Sequence, residues 1–414
     1  MEPVFKSPPG QNFFFGYFDK SPISANGTRL LACRSNFIGR PVKKGDTIDI
    51  GYFNWKRSNK FEKITSSSAW NWQQGCMLQW LGTQCSDKII YNDVNKEKFV
   101  SVIFDIKTNK KRILPMPIYA LEPGGRFALC IDFERHYWYR NGYNYQGVRN
   151  PDKKIPYDKD DGIWRLNIDT SHIKRILSLE TLVKINPVTG MSKSVHYVEH
   201  INISPNGKRF MFIHRWKTSD NNIYSRLFTA NIDGSEIFLV NDSGRVTHAC
   251  WANDGEIVAW CGKENLVNKL RSNVKLSKYL FAPLLPFYHR LTGQNSKINQ
   301  LATGDSYYRF LDKSSFRERL SPELLNEDGH PSFNPKNKQV MLTDTYEDSN
   351  HKRTVLLFDM KSKKVRYIAK LKSMPDLDKT TYRCDLHPRW STDGNFVIVD
   401  TTNEFFRQIY VYKV

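Results

Sequence analysis

Four histidines and a cysteine recur at matching places along the chain, and their side chains are of the kinds that bind metals or move protons. His200 stands in VEHINISPNG, His248 in VTHACWANDG, His330 in DGHPSFNPKN, and Cys384 with His387 in RCDLHPRWSTDG. Each lies a few residues ahead of a Gly- or Asn-bearing turn, so a fold that closes the repeats into a ring would gather them. Thiolate and neutral imidazole suit a tetrahedral divalent cation, zinc ahead of manganese or calcium. The competing reading is that each imidazole only hydrogen-bonds a loop carbonyl.

Other residues offer charge and stacking. Arg215 follows His214 in FMFIHRW, and strand alternation points the two in opposite directions. An Arg facing a channel could neutralise a substrate carboxylate through a bidentate pair, or it could bridge two blades instead. Asp344, Thr345 and Tyr346 end another strand in a similar position. Arg135, His136, Tyr137, Arg140, Tyr143 and Tyr145 interleave rings with cations, which suits acidic sugars and single-stranded nucleic acid alike. Gln73 and Gln74 in AWNWQQGCMLQW stand where other repeats offer His, as polar ligand contacts or as loop caps. The chain has no Walker A, GxGxxG, HExxH or GxSxG sequence, which weighs against nucleotide-dependent and serine-hydrolase chemistry.

A repeated unit must position these groups. Its lead carries Pro or Trp, a Gly/Asn/Asp turn follows, and then a hydrophobic strand. Seven copies run from SPISANGTRLLAC at Ser21 to WSTDGNFVIVDTT at Trp390. Most are followed by a second pair of strands, as in SVIFDIKTNKKRIL and TVLLFDMKSKKVRYIA. Two hairpins per unit make a four-stranded antiparallel sheet. The expectation is an all-β chain: a single seven-bladed β-propeller of four-stranded blades over residues 1–414. The N-terminal segment would complete the last blade. Two long intervals imply insertions at about 134–160 and 263–305. The second contains KLRSNVKLSKYLFAPLLPFYHRL, read as a lid on the propeller or as an amphipathic membrane-surface helix.

Lys and Arg number 62 against 42 Asp and Glu, a formal charge of +20, which favours a polyanionic partner. An acidic polysaccharide or oligosaccharide leads, an anionic membrane surface is a peripheral option, and nucleic acid is the weakest. Oligomeric state is not legible. Seven scattered cysteines without a CxxC pair fit a reducing compartment. No signal peptide or membrane-spanning run is present, so a cytoplasmic location is expected for the chain as written, and a periplasmic or secreted one for a longer precursor.

EHINISPNGKRFMFIHRW, SRLFTANIDGS, VTHACW, DGHPSF, LTDTY and RCDLHPRWSTDG resemble the propeller polysaccharide lyases, namely ulvan lyases and the related oligogalacturonate lyases. GYFDKSP and WNWQQGCMLQW agree with the ulvan-lyase side. The resemblance implies β-elimination on a uronate-containing glycan. A cation neutralises the carboxylate, a His or Tyr removes the C5 proton, and a Tyr or His protonates the departing O4. Carried over by motif, Arg215 is the neutraliser and His200 a base or acid, with His136 and Tyr143 as further acid/base candidates. Gln73, Gln74, Arg135, Tyr145 and Arg226 form the substrate-contact set. His248, His330, Cys384 and His387 resemble a metal group. The oligogalacturonate pattern has Gln where Cys384 stands and His where Arg389 stands; these departures argue for zinc and for ulvan-type use. The alternative is a catalytically silent propeller that binds an anionic glycan in polysaccharide assembly.

Overall fold

The turn that opens each repeat is built by its own side chains. In the copies at Ser24, Ser204 and Ser391, the Ser Oγ accepts the backbone N–H five residues on, at 3.0 Å in each case. The same hydroxyl donates to the Asn or Asp two residues ahead. A glycine in the left-handed region completes the turn, Gly207 at φ +71° and Gly394 at +74°. A side-chain Cβ is disfavoured there, which explains why S-x-N/D-G recurs.

The computed structural model describes residues 1–188, 190–219, 222–263 and 304–414. These form seven four-stranded antiparallel sheets, the blades of a seven-bladed β-propeller. The first blade comprises β2 (Asn12–Phe14), β3 (Leu30–Ser35), β4 (Ile48–Phe53) and β5 (Phe61–Ser67). The second comprises β6 (Gln79–Trp80), β7 (Lys88–Asn95), β8 (Lys98–Asp105) and β9 (Lys110–Leu114). The third comprises β10 (Ile118–Leu121), β11 (Phe127–Cys130), β12 (Gly162–Asn167) and β13 (Ile173–Ser178). The fourth holds β14 (Val195–Ile203), β15 (Arg209–Lys217), β16 (Ile223–Asn231) and β17 (Phe238–Gly244). The fifth holds β18 (Val246–Trp251), β19 (Glu256–Cys261), β20 (Ser306–Leu311) and β21 (Arg317–Arg319). The sixth holds β22 (Ser332–Phe333), β23 (Val340–Asp344), β24 (Lys352–Asp359) and β25 (Lys364–Lys372). The seventh joins β26 (Arg389–Trp390), β27 (Phe396–Thr401) and β28 (Gln408–Lys413) to β1 (Phe5–Lys6), whose Phe5 lies opposite Val411. The N-terminal strand therefore completes the last blade, as expected.

The described residues divide into two compact units. One contains Met1–Pro151, Arg165–Lys174 and Gly329–Val414; the other contains Asp152–Trp164 and Arg175–Asp328. In the first unit an aromatic core runs through Phe5, Phe13, Phe53, Trp70 and Trp72. In the second, Trp216 and Tyr224 stack at 5.5 Å beside Val183 and Met191.

The first expected insertion lies between β11 and β12 and contains α1 (Phe133–Tyr139), capped by the Asp132 side chain. The second insertion lies outside the described residues except at its ends, so neither the lid nor the membrane-surface reading is addressed. Among the described residues no helix is long and apolar enough to cross a membrane. All seven cysteines are unbridged.

Candidate functional site

In the second unit, two histidines stand at breaks in strand register. β14 shifts between Glu199 and Asn202, and β18 shifts between Val246 and His248. Bulges of this kind re-aim side chains. At the first break His200 takes a left-handed backbone, φ +54°, which is costly for a residue with a Cβ. The His200 and His248 rings lie 5.8 Å apart at 81°. His248 Nδ1 sits 3.0 Å from Asp328 Oδ1. With the N–H donating to that carboxylate, Nε2 is the ring's acceptor nitrogen. His200 Nε2 lies 3.4 Å from Glu199 Oε1. Burial pushes His200 down to about 4 against the pull of Glu199, so its imidazole is neutral at ordinary pH.

Arg215 completes this group. Its Nε donates to Glu199, which is fully buried, while the Arg215 side chain keeps 13% of its surface. Its terminal nitrogens make no hydrogen bond to any described residue. The guanidinium is thus fixed by one edge and offers the other. Alternation works as expected, because His214 points the opposite way. There His196 Nδ1 and His214 Nε2 are 2.9 Å apart, and His196 Nε2 lies 2.7 Å from the Met191 carbonyl. Arg226 belongs to this same buried face. It donates to the carbonyls of Leu182, Ile185 and Asn186, which closes the end of α2 (Leu179–Lys184). Arg226 is therefore a structural cation and not a substrate contact: its side chain is fully buried and committed to backbone.

The first unit holds a different group. His330, Asp385 and His387 are buried, and one ligand atom from each lies within 4.8 Å of the others. His330 Nδ1 lies 2.9 Å from Asp344 Oδ1, and His387 Nδ1 lies 2.9 Å from the Gly16 carbonyl. Both contacts put the ring proton on Nδ1 and the lone pair on Nε2. This is how second-shell partners orient metal-binding imidazoles. Asp385 is held well below the usual carboxylate range by Arg383 and Arg353, against its own burial. Two imidazoles and a permanently ionised carboxylate are a donor set that first-row divalent cations accept. These residues fit a metal, although the two guanidiniums beside Asp385 tax its affinity.

The expected metal set is corrected in two places. Cys384 is buried and stands outside the group of converging donor atoms; the seventh-blade donor there is its neighbour Asp385. Asp385 and His387 lie in the coil that leads into β26, where His387 takes a left-handed backbone, φ +41°. His248 belongs to the other unit, where Asp328 takes its Nδ1. Arg389, at the place of a further expected His, is an internal cation that pairs with Asp400 at 2.7 Å and donates to Gly16.

The remaining candidates all lie in the first unit. Gln73 and Gln74 donate to the Arg383 carbonyl and the Tyr119 hydroxyl. Their own carboxamide oxygens are buried and accept no hydrogen bond from described residues, which leaves two acceptors for a ligand or water. Arg135 and His136 lie on α1, both 2% exposed. Arg140 stacks on the Tyr143 ring at 3.9 Å. Tyr145 is a core residue, corrected from the substrate-contact set. It stacks on Phe133 at 4.3 Å, and its hydroxyl accepts from Asn92. Glu199 and Asp328 were missed, and Asp344 had been noted only as the end of its strand; each carboxylate sits beside a histidine that sequence reading had singled out.

No family model and no curated protein sequence matches the chain. Solved structures do. An oligogalacturonate lyase from Vibrio parahaemolyticus matches with a TM-score of 0.62 at 12% identity, covering 100% of this chain and 93% of that one. Hydrazine synthase from Kuenenia stuttgartiensis matches with a TM-score of 0.50 at 10% identity, covering 96% of each chain. Identity this low carries the fold alone, and the two neighbours bear names of unrelated chemistry. The chain has the fold of a seven-bladed β-propeller similar to that of an oligogalacturonate lyase.

Proposed function

We propose that the chain is a lyase that cleaves a uronate-containing acidic polysaccharide or oligosaccharide by β-elimination. The observation that carries this reading is Arg215, anchored by Nε on Glu199 with its terminal nitrogens uncommitted, in the electrostatic neighbourhood of His200. A planar guanidinium edge pairs with a carboxylate through two parallel N–H bonds. Neutralising the uronate carboxylate makes the C5 proton removable.

His248 is the better base of the two imidazoles. Asp328 fixes its tautomer, with the acceptor nitrogen on Nε2, and stabilises the cation formed when the proton arrives. The C5–H electrons become the C4=C5 double bond, and the C4–O4 bond breaks. Imidazolium Nε2–H then returns its proton to the departing O4. His200, neutral above about pH 4, packs against His248 without adding positive charge.

The His330–Asp385–His387 group in the first unit would hold a divalent cation. Held by these residues, such an ion would supply a cross-link between the entry of the sixth blade and that of the seventh. The reason for preferring zinc was a thiolate donor, and with Asp385 in that place the reading is a first-row divalent cation without that preference.

The test is absorbance of the unsaturated uronate while the protein is incubated with polygalacturonate, ulvan and alginate. A rise with any of them supports the lyase, and Arg215→Ala should abolish it. A flat trace from folded protein refutes it. One observation favours a second reading, a silent anionic-glycan binder. Glu199 already neutralises Arg215, and a cation with an internal counterion attracts a substrate carboxylate less strongly. Binding of these polymers without product would select it.

A further inference from the structure

The outermost strand of the sixth blade, β25, carries an unusual charge row. From Lys361 to Lys372 the sequence is KSKKVRYIAKLK, with Lys361, Lys363, Lys364, Arg366, Lys370 and Lys372 and no acid. All six cations are exposed. Only Lys370 has an ion-pair partner, Asp348 at 2.8 Å; the other five have none among the described residues. Tyr367 stands in the middle of the row, 68% exposed.

Lysines on an edge strand commonly guard against sheet-to-sheet aggregation. That explanation would call for a similar row on every blade, and the other outer strands carry shorter or mixed ones. β17, FLVNDSG, has no cation at all. β5 and β21 mix Glu with Lys or Arg. Lys6 of β1 pairs with Glu404, and Arg175 of β13 pairs with Asp160. In β9, Arg112 is spent on the carbonyls of Ile168 and Asp169. Lys110 and Lys111 of β9 and Lys174 of β13 are also exposed and unpaired among the described residues, so what distinguishes β25 and the turn before it is length: six cations in twelve residues without an acid.

We propose that β25 is a docking rail for a linear acidic polysaccharide, separate from the His330–Asp385–His387 group of the same unit. Its nine residues span about 30 Å at roughly 3.3 Å per residue, one strand wide. His330 adjoins the innermost strand of the same blade, so the rail lies three inter-strand spacings away, on the order of 14 Å. A narrow row of cations suits a thread of carboxylates or sulfates. The single exposed ring offers a sugar one stacking platform. A membrane contact would call for several apolar side chains to insert, and single-stranded nucleic acid for several rings to stack on. The row has one.

The test titrates the full chain at low ionic strength with polygalacturonate, with vesicles of anionic phospholipid and with single-stranded DNA. The variant is Lys361→Gln/Lys364→Gln/Arg366→Gln/Lys372→Gln. Its affinity for polygalacturonate should fall about tenfold or more, as expected for four exposed charge pairs. Replacing the three lysines by Arg should restore binding. The readout is binding, so it stands whether or not the chain turns over any glycan. Failure of the wild type to bind polygalacturonate overturns the proposal. So does unchanged affinity in the Gln variant, or a loss confined to vesicles or DNA.

Discussion

Histidines at matching repeat positions end up in two kinds of surroundings, and the residue beside each ring decides which. In the second unit His248 leans on Asp328, while Glu199 is spent on Arg215 and lies beside His200. Carboxylates there hold a ring or a guanidinium in place, and the group suits proton movement next to a fixed cation. In the first unit His330 and His387 are tied by Nδ1 to Asp344 and to a backbone carbonyl. Their Nε2 atoms are left to share one carboxylate, Asp385, and the group suits a cation. On this reading the same side chain at the same place in a repeat would serve as acid–base or as ligand according to its second-shell partner.

The sharpest way to break this contrast is to remove one member from each group. His248→Ala should lower turnover of a uronate polymer by about 10² to 10⁴-fold, the usual worth of a positioned base. Its thermal midpoint should stay close to that of the parent. His330→Ala should do the reverse, abolishing bound metal by elemental analysis and lowering the midpoint by several degrees. If His330→Ala leaves metal content intact, the ligand assignment fails.

Acidification probes the second unit next. His200 sits near 4 and His214 lies well below its ordinary value, both mainly through burial. A depressed histidine contributes its stability above the unfolded value and loses it as pH falls through 6.5 toward the folded value. Between pH 7 and 4, His200 alone should cost on the order of 3 kcal/mol. His200→Gln should flatten the slope of unfolding free energy against pH over that window; an unaltered slope would assign it to other groups. The smallest effect is expected from Glu199→Gln. It keeps the shape, loosens the Arg215 anchor, and should raise KM a few-fold with kcat nearly kept. A large fall in kcat with unchanged KM would show that Glu199 acts on the chemistry.

The blades were legible because their turns are local. S-x-N/D-G, present in three of the seven copies, makes its own hydrogen bonds within six residues, and a turn followed by a hydrophobic strand marked the other four. The histidines were legible for the same reason, sitting at fixed offsets from those turns. Their partners were not. Asp328 is far from His248 in sequence, and the His387 partner is the carbonyl of Gly16, 371 residues away. Neither has a spacing rule. Cys384 was singled out because a thiolate suits zinc, and its neighbour Asp385, whose carboxylate joins His330 and His387, went unweighed. Arg226 and Tyr145 were misplaced because chemical type says what a side chain could do, and burial decides whether it is offered.

The pairing of β1 with β28 bears on how the molecule is made. Gln408 donates to the carbonyl of Ser7 across 401 residues of chain. At typical synthesis rates of about 5–20 residues per second, the early strand waits roughly 20–80 s for its partner to emerge. During that interval the seventh sheet is missing and the first strand has an open edge. A nascent chain of this kind should need shelter on the ribosome until its last strand appears, and shortening it at either of these strands should trap it in that unfinished state.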